Sequence, residues 1–205
     1  MKHFWNDRYN REEYIYGLAP NQFFAAQLSQ WQPGRLLLPA EGEGRNAIHA
    51  AKQGWEVLAI DFSEAGRKKA LQLASQEEVD LTYQIDDITR SPYPTQYFDA
   101  VALIYAHLPK AQQGPFLQQM DQTLRPGGTL LMEVFHHEQL GNTSGGPKKI
   151  DLLYHEDELQ ALLKGWQIHL LEKASIQLDE GDHHQGPAEV VRVVAQKPGL
   201  QEGNT

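Results

Sequence analysis

The run Pro39-Ala40-Glu41-Gly42-Glu43-Gly44-Arg45-Asn46-Ala47 follows the apolar triplet Leu36-Leu37-Leu38. A glycine turn between a strand and a helix commonly cradles a phosphate, because backbone N–H groups and the helix dipole favour an anion there. Two carboxylates in the turn oppose that use and suit a ligand that carries positive charge. Gly42 and Gly44 still let the backbone approach such a ligand closely. Farther along, the apolar run 57–60 ends at Asp61-Phe62-Ser63, and an acid at that distance from the glycines can grip ribose hydroxyls. The run 83–85 ends at Asp86-Asp87-Ile88. One carboxylate there can accept a hydrogen bond from an adenine amino group while Ile88 covers the ring. Tyr105-Ala106-His107-Leu108-Pro109 follows a fourth apolar run, and His107 is the candidate to position or deprotonate an acceptor.

These residues need elements that bring them together. Strand-like runs at 35–39, 55–60, 81–85, 98–104 and 129–135 alternate with helix-like segments at 46–53, 63–75 and 110–124, the last stopped by Arg125-Pro126-Gly127-Gly128. Alternation at this spacing predicts βαβ units and a mainly parallel sheet with helices on both faces. Right-handed crossovers put every strand's carboxyl end on one rim, where ligands bind near the reversal of strand order. A helix at 154–164 and strands at 166–176 and 189–195, joined by the polar loop 178–187, predict an antiparallel hairpin at the sheet edge. Before the first strand, Trp5, Tyr9, Tyr14 and Tyr16 read either as a lid that excludes water or as a helix packed on the sheet, and Phe23, Phe24 and Leu28 as core. The glycine-rich loop 141–147, followed by Lys148-Lys149, reads equally as an anion-binding element or a surface loop. One domain is expected over residues 1–198, with 1–30 as a cap and 199–205 as an unstructured tail.

The bulk numbers narrow the function. The 205 residues carry a net charge of -9, with 40% hydrophobic and 22% charged residues. So acidic a chain gains nothing from counterion release, which argues against nucleic-acid partners. No apolar run reaches membrane-spanning length and the amino end lacks a secretory pattern, so a cytoplasmic protein is expected. The absence of cysteine removes thiol catalysis and thiolate metal sites. The pairs His136-His137 and His183-His184 can be written as metal ligands, but no metal site is expected from their spacing.

The motifs LLLPAEGEGRNA, VLAIDFS, IDDI followed by YFDAVAL, AHLP and LRPGGTLLMEVF together resemble class I S-adenosylmethionine-dependent methyltransferases. The amino-terminal FWNDRYNREEYIYGLAPNQF and the central AEGEGRNA resemble, more narrowly, the bacterial branch of tellurite-resistance and thiopurine methyltransferases. The resemblance implies a Rossmann-like seven-stranded sheet with an antiparallel last strand, and S-adenosylmethionine as cofactor. It assigns Ala40, Gly42 and Gly44 to the methionine part, Asp61 to ribose, and Asp87 with Ile88 to adenine. Glu41, Asn46, Phe62 and Tyr105 complete the expected cofactor contacts, and His107 faces the acceptor. Two departures stand out: Leu38 replaces the acid that commonly closes the first strand, and Ala40 replaces the first glycine. Glu41 is the candidate to supply the missing charge near the ammonium. The implied activity is methyl transfer to a small molecule such as a tellurite- or selenite-like oxyanion, a thiol or a heterocycle. The alternatives are a nicotinamide-dependent oxidoreductase and a non-catalytic protein that binds the same cofactor.

Overall fold

A computed structural model describes residues 2–199; the tail expected to be unstructured lies, from residue 200 on, outside the described residues. Seven strands form one sheet in the order β3-β2-β1-β4-β5-β7-β6. They are β1 (Arg35–Pro39), β2 (Glu56–Asp61), β3 (Thr82–Ile85), β4 (Phe98–Ile104), β5 (Leu124–Phe135), β6 (Gln167–Asp179) and β7 (Gln185–Gln196). The first five pair in parallel, whereas β7 runs antiparallel to both β5 and β6. The expected mainly parallel sheet with a terminal antiparallel hairpin is the observed fold.

Alternation along the strands builds the two layers. Leu36, Leu38, Ala100, Ala102 and Leu131 face one side with Phe23, Phe24 and Leu28 of α2 (Gln22–Leu28) and Ala47 and Ala50 of α3 (Arg45–Lys52). Leu37, Val101, Leu103, Leu130 and Met132 face the other. There they meet Phe116, Leu117 and Met120 of α5 (Lys110–Thr123) and Leu159 of α6 (Glu156–Leu162). Period-two burial on both faces is what a doubly covered parallel sheet requires.

Local chemistry sets the ends of the elements. Ser63 caps α4 (Glu64–Gln76) by accepting the Gly66 N–H at 3.1 Å. In α1 (Lys2–Tyr9), Asn6 Oδ1 adds to that cap by accepting from Ser63 Oγ at 2.8 Å and from the Ala65 N–H at 3.2 Å. Two boundaries differ from expectation. Arg125-Pro126-Gly127-Gly128 does not separate helix from strand: Leu124 already pairs with Phe98, and the extra residues are absorbed as a bulge before Thr129 meets Ala100. The hairpin is also longer than its polar composition suggested, with Leu178 and Asp179 paired to Gly186 and Gln185, so the turn shrinks to 180–184.

Candidate active site

β1 and β4 are neighbours while β2 and β3 lie beyond β1, so strand order reverses between β1 and β4, and the glycine turn leaves β1 at that point. Its backbone turns left-handed at alternate residues: Ala40, Gly42 and Gly44 all have positive φ, at 60°, 61° and 88°. Ala40 is the costly one, since a side chain disfavours that region, and its N–H donates to Ile60 O at 2.7 Å, which holds it there. The turn is also sterically sealed. A Cβ on Gly42 would lie 2.6 Å from Tyr9 Oη, one on Gly44 2.6 Å from the Ala70 Cβ, and one on Gly66 2.7 Å from Gly42 O.

Both glutamates of the turn are buried, and each has a separate task. Glu41 Oε1 accepts the Ala47 N–H at 2.7 Å, which places a carboxylate over the amino end of α3, where Gly44 offers no side-chain cap. Glu43 turns the other way: Lys69 Nζ binds Oε1, and Oε2 accepts the Ile15 N–H at 2.8 Å. The charge of Glu43 is thus neutralised and fastens the amino-terminal segment. Asp61 closes β2 and accepts the Gly42 N–H at 3.2 Å and the Ser63 N–H at 2.8 Å. Burial pushes the Glu41 carboxyl up to about 7 and the Asp61 carboxyl up to about 6, against the lowering effect of their backbone hydrogen bonds.

The remaining expected residues fall as follows. Asn46 is buried and its Oδ1 accepts the Asn21 N–H at 2.9 Å. Phe62 is half-buried between Asp61 and the α4 cap. Asp87 is exposed and accepts from the Thr89 N–H at 3.0 Å and from Thr89 Oγ1 at 2.8 Å, whereas Ile88 is 4% exposed and sits in the core beneath it. Tyr105 leaves β4 with φ 51° and donates to Glu133 Oε1 at 3.0 Å. His107 stacks on Phe135 at 5.5 Å. Its Nδ1 donates to Leu152 O at 2.7 Å, and its Nε2 accepts the Phe135 N–H at 3.4 Å. Desolvation lowers His107 to about 4, so it is a neutral ring held at both nitrogens by backbone.

A buried polar cluster closes the rim, and of its members the sequence singled out only His184. Arg45 reaches Glu180 Oε2 at 2.9 Å and the carbonyls of Tyr16 and Ala19 at 3.2 Å each. His184 Nδ1 lies 3.1 Å from the same Glu180 oxygen. Burial alone would raise Glu180, but the hydrogen bonds from His184 and Arg45 outweigh it and leave the carboxyl below its ordinary value. At His184 burial prevails over the raising effect of Glu180 and moves the imidazole below its ordinary value. Glu133, 1% exposed, binds Asn21 Nδ2 at 2.6 Å and Arg192 Nε at 2.7 Å. Its signal was available: a lone charge inside the apolar run Leu131-Met132-Glu133-Val134-Phe135 must find partners.

Residues 39–128 match the family model of a methyltransferase domain. Hemagglutinin 1 of Eikenella corrodens is 25% identical over 164 residues, covering 77% of this chain and 53% of that protein. A demethylmenaquinone methyltransferase of Deinococcus radiodurans is 30% identical over 113 residues, covering 54% and 47%. The chain therefore spans about half the length of the curated relatives it matches. A structure described by the conversion of a disulfide bond into a thioacetal group in echinomycin biosynthesis superposes with TM-score 0.80 at 15% identity, over 98% of this chain and 93% of that one. TehB of Haemophilus influenzae superposes at 0.73 with 16% identity, over 96% and 66%. A Burkholderia thailandensis 1,6-didemethyltoxoflavin-N1-methyltransferase, solved with S-adenosylhomocysteine, superposes at 0.65 with 18% identity, over 86% and 77%. Among the described residues no helix is long and apolar enough to cross a membrane.

Proposed function

We propose that this protein is an S-adenosylmethionine-dependent methyltransferase acting on a small acceptor that arrives as a competent nucleophile. One observation carries the reading: the Glu41 carboxylate already occupies the amino end of α3, with the Ala47 N–H on it and the Gly42 N–H taken by Asp61. A dinucleotide's pyrophosphate needs those donors and would meet a carboxylate in their place. A ligand with a sulfonium and an ammonium gains from the same group. Asp61 has acceptor capacity beyond its backbone bonds, because an ionised carboxylate offers about four lone-pair sites. That suffices for ribose hydroxyls. Asp87, two residues past β3, is exposed and would accept a hydrogen bond from an adenine amino group.

When bound, the cofactor supplies an electrophilic methyl group on sulfur. The chain's contribution is positional. Tyr105, His107, Phe135 and His184 pack ring against ring at the carboxyl ends of β4 and β5 and form a dry wall there. α1 and the segment tied down by Glu43, Arg45 and Asn46 cover the turn as a lid. Of the four titratable groups at this wall, three are held away from base chemistry; the fourth is His184, with Nδ1 on Glu180 Oε2. His107 is neutral and doubly held, burial drives the Tyr105 phenol upward, and Glu133 is shared by Arg192, Asn21 and Tyr105. An acceptor that needs no deprotonation, such as a thiolate, a tellurite- or selenite-like oxyanion or an anionic heterocycle, makes no demand on these three groups, whereas an amine or alcohol would need His184 as base.

Calorimetric titration with S-adenosylhomocysteine and, separately, with NAD tests the cofactor. Binding of the first alone is expected. Asp61→Ala should weaken it roughly 10- to 150-fold through lost charged hydrogen bonds. NAD binding with no response to S-adenosylhomocysteine would overturn the reading. Release of S-adenosylhomocysteine in a screen of chalcogen oxyanions, thiols and heterocycles then identifies the acceptor.

A further inference from the structure

A second cluster lies beyond the end of β5, apart from the residues assigned to methyl transfer. An isolated parallel bridge pairs His136 with Tyr154 and so brings His136-His137 beside His155-Glu156, segments far apart along the chain. The rings of His136, His137 and His155 lie 5.3–5.9 Å apart, centroid to centroid. His136 is 2% exposed. Its Nε2 and the Glu156 Oε2 are both enclosed, and neither makes a hydrogen bond. They are nevertheless only 3.2 Å apart.

Buried polar atoms left without partners are rare and call for an explanation. Two ligands held about 2.0–2.1 Å from one tetrahedral ion lie roughly 3.3 Å from each other, which is the spacing seen. His136, His155 and Glu156 each offer a ligand atom, all within 4.8 Å of one another. The geometry points to a binding site for a single borderline divalent transition-metal ion, of the zinc, cobalt or nickel kind, held by His136, His155 and Glu156.

Two imidazoles and one carboxylate match that class, whereas calcium and magnesium take oxygen sets. Glu158 flanks the site: its Oε1 is bound by Lys110, while the unpartnered Oε2 lies 3.8 Å from His137 Nε2. Two local bonds oppose occupancy: His155 Nδ1 accepts the Asp157 N–H at 3.2 Å as the cap of α6, a bond lost whichever ring nitrogen takes the ion. His136 Nδ1 accepts the Glu138 N–H at 3.1 Å, so the neutral ring holds its proton on Nε2. An ion at Nε2 moves that proton to Nδ1 and breaks this cap. Two cap hydrogen bonds are a small loss beside two metal–imidazole bonds. An ion here would clamp the end of β5 to the start of α6 and close the glycine-rich loop 141–147 at its base. The sequence-based expectation of no metal site rested on linear spacing, and the bridge supplies what spacing does not.

The test uses the full chain without a histidine tag, freed of metal with a chelator and titrated calorimetrically with zinc chloride, nickel chloride and magnesium chloride. One zinc or nickel ion per chain at micromolar affinity, no magnesium binding, and a higher melting temperature with zinc are expected. His155→Ala and Glu156→Gln, at partly exposed positions, should each weaken zinc binding by about tenfold or more. In an amide NMR spectrum the Glu138 signal should move on zinc addition in the wild type. Absence of saturable binding in the micromolar range would overturn the site. So would binding that both substitutions leave unchanged, since that places the ion at other histidines.

Discussion

Glu41 and Asp61 are the two carboxyls of the site that lack an ion-pair partner of their own, and both are pushed up by burial, to about 7 and about 6. Glu43, equally buried, holds Lys69 instead. The raised groups make stability depend on pH in a definite direction. Between the ordinary value of 4.5 and about 7, the folded Glu41 binds more proton than the unfolded one. Its contribution is therefore complete below that ordinary value and is lost as pH rises through 7. Asp61 acts in the same sense at slightly lower pH. Glu41→Gln keeps an oxygen for the Ala47 N–H but cannot ionise. Urea unfolding at pH 5 and pH 8 should show the wild type losing stability across that interval and the variant losing less, by on the order of 2–3 kcal/mol. Parallel pH profiles would show that Glu41 titrates normally. The variant should also bind S-adenosylhomocysteine with less pH dependence between pH 6 and 8.

At the scale of elements, α4 lies against the glycine turn with no room between them. Gly66 faces Gly42 O and Ala70 faces Gly44, so two small residues one turn apart on α4 set the height of the turn above the sheet. Gly66→Ala puts a methyl group 2.7 Å from a backbone oxygen, which cannot rotate away. The gain in helix propensity, under about 1 kcal/mol, is smaller than the cost of overpacking, about 1–3 kcal/mol. A melting temperature lower by several degrees is expected, together with weaker S-adenosylhomocysteine binding, because Gly42 must shift relative to Asp61. A variant with unchanged affinity would separate α4 packing from the site. This contact also marks where sequence reading stops. Strand runs, the glycine turn and Asp61 are legible because each is a local pattern. That α4 needs glycine at 66 is not, since a glycine inside a helix looks like a weakness until its neighbour is known. Pro126-Gly127-Gly128 misleads for the same reason: a turn signal and a bulge share one composition, and only the Phe98–Leu124 pairing decides between them.

Across the whole molecule, the site is closed by elements from both ends of the chain. The amino-terminal segment gives Tyr16, Ala19 and Asn21, the glycine turn gives Arg45, the middle of the sheet gives Glu133, and the last hairpin gives Glu180, His184 and Arg192. No local pattern announces such a cluster, because its members are joined only by the order β4-β5-β7 and the fold-over of residues 13–21. Its centre is the Arg45–Glu180 pair, with side chains 9% and 10% exposed. At that burial, removing one partner strands a charge in a dry setting, at a cost of about 3–5 kcal/mol. Arg45→Met leaves Glu180 with only the neutral donors His184 and Asn21, and Glu180→Gln leaves Arg45 with two carbonyls. Each single variant should be strongly destabilised in urea unfolding. The double variant strands neither charge, so its loss should fall short of the sum by roughly 1–3 kcal/mol. Strict additivity would mean that the two groups do not stabilise each other. The same double variant separates clamp from scaffold: if the pair holds the amino-terminal segment over the turn, residues 13–21 should become open to limited proteolysis while far-ultraviolet circular dichroism stays near that of the wild type. Loss of both signals together would instead make the cluster part of the core that the sheet needs in order to fold.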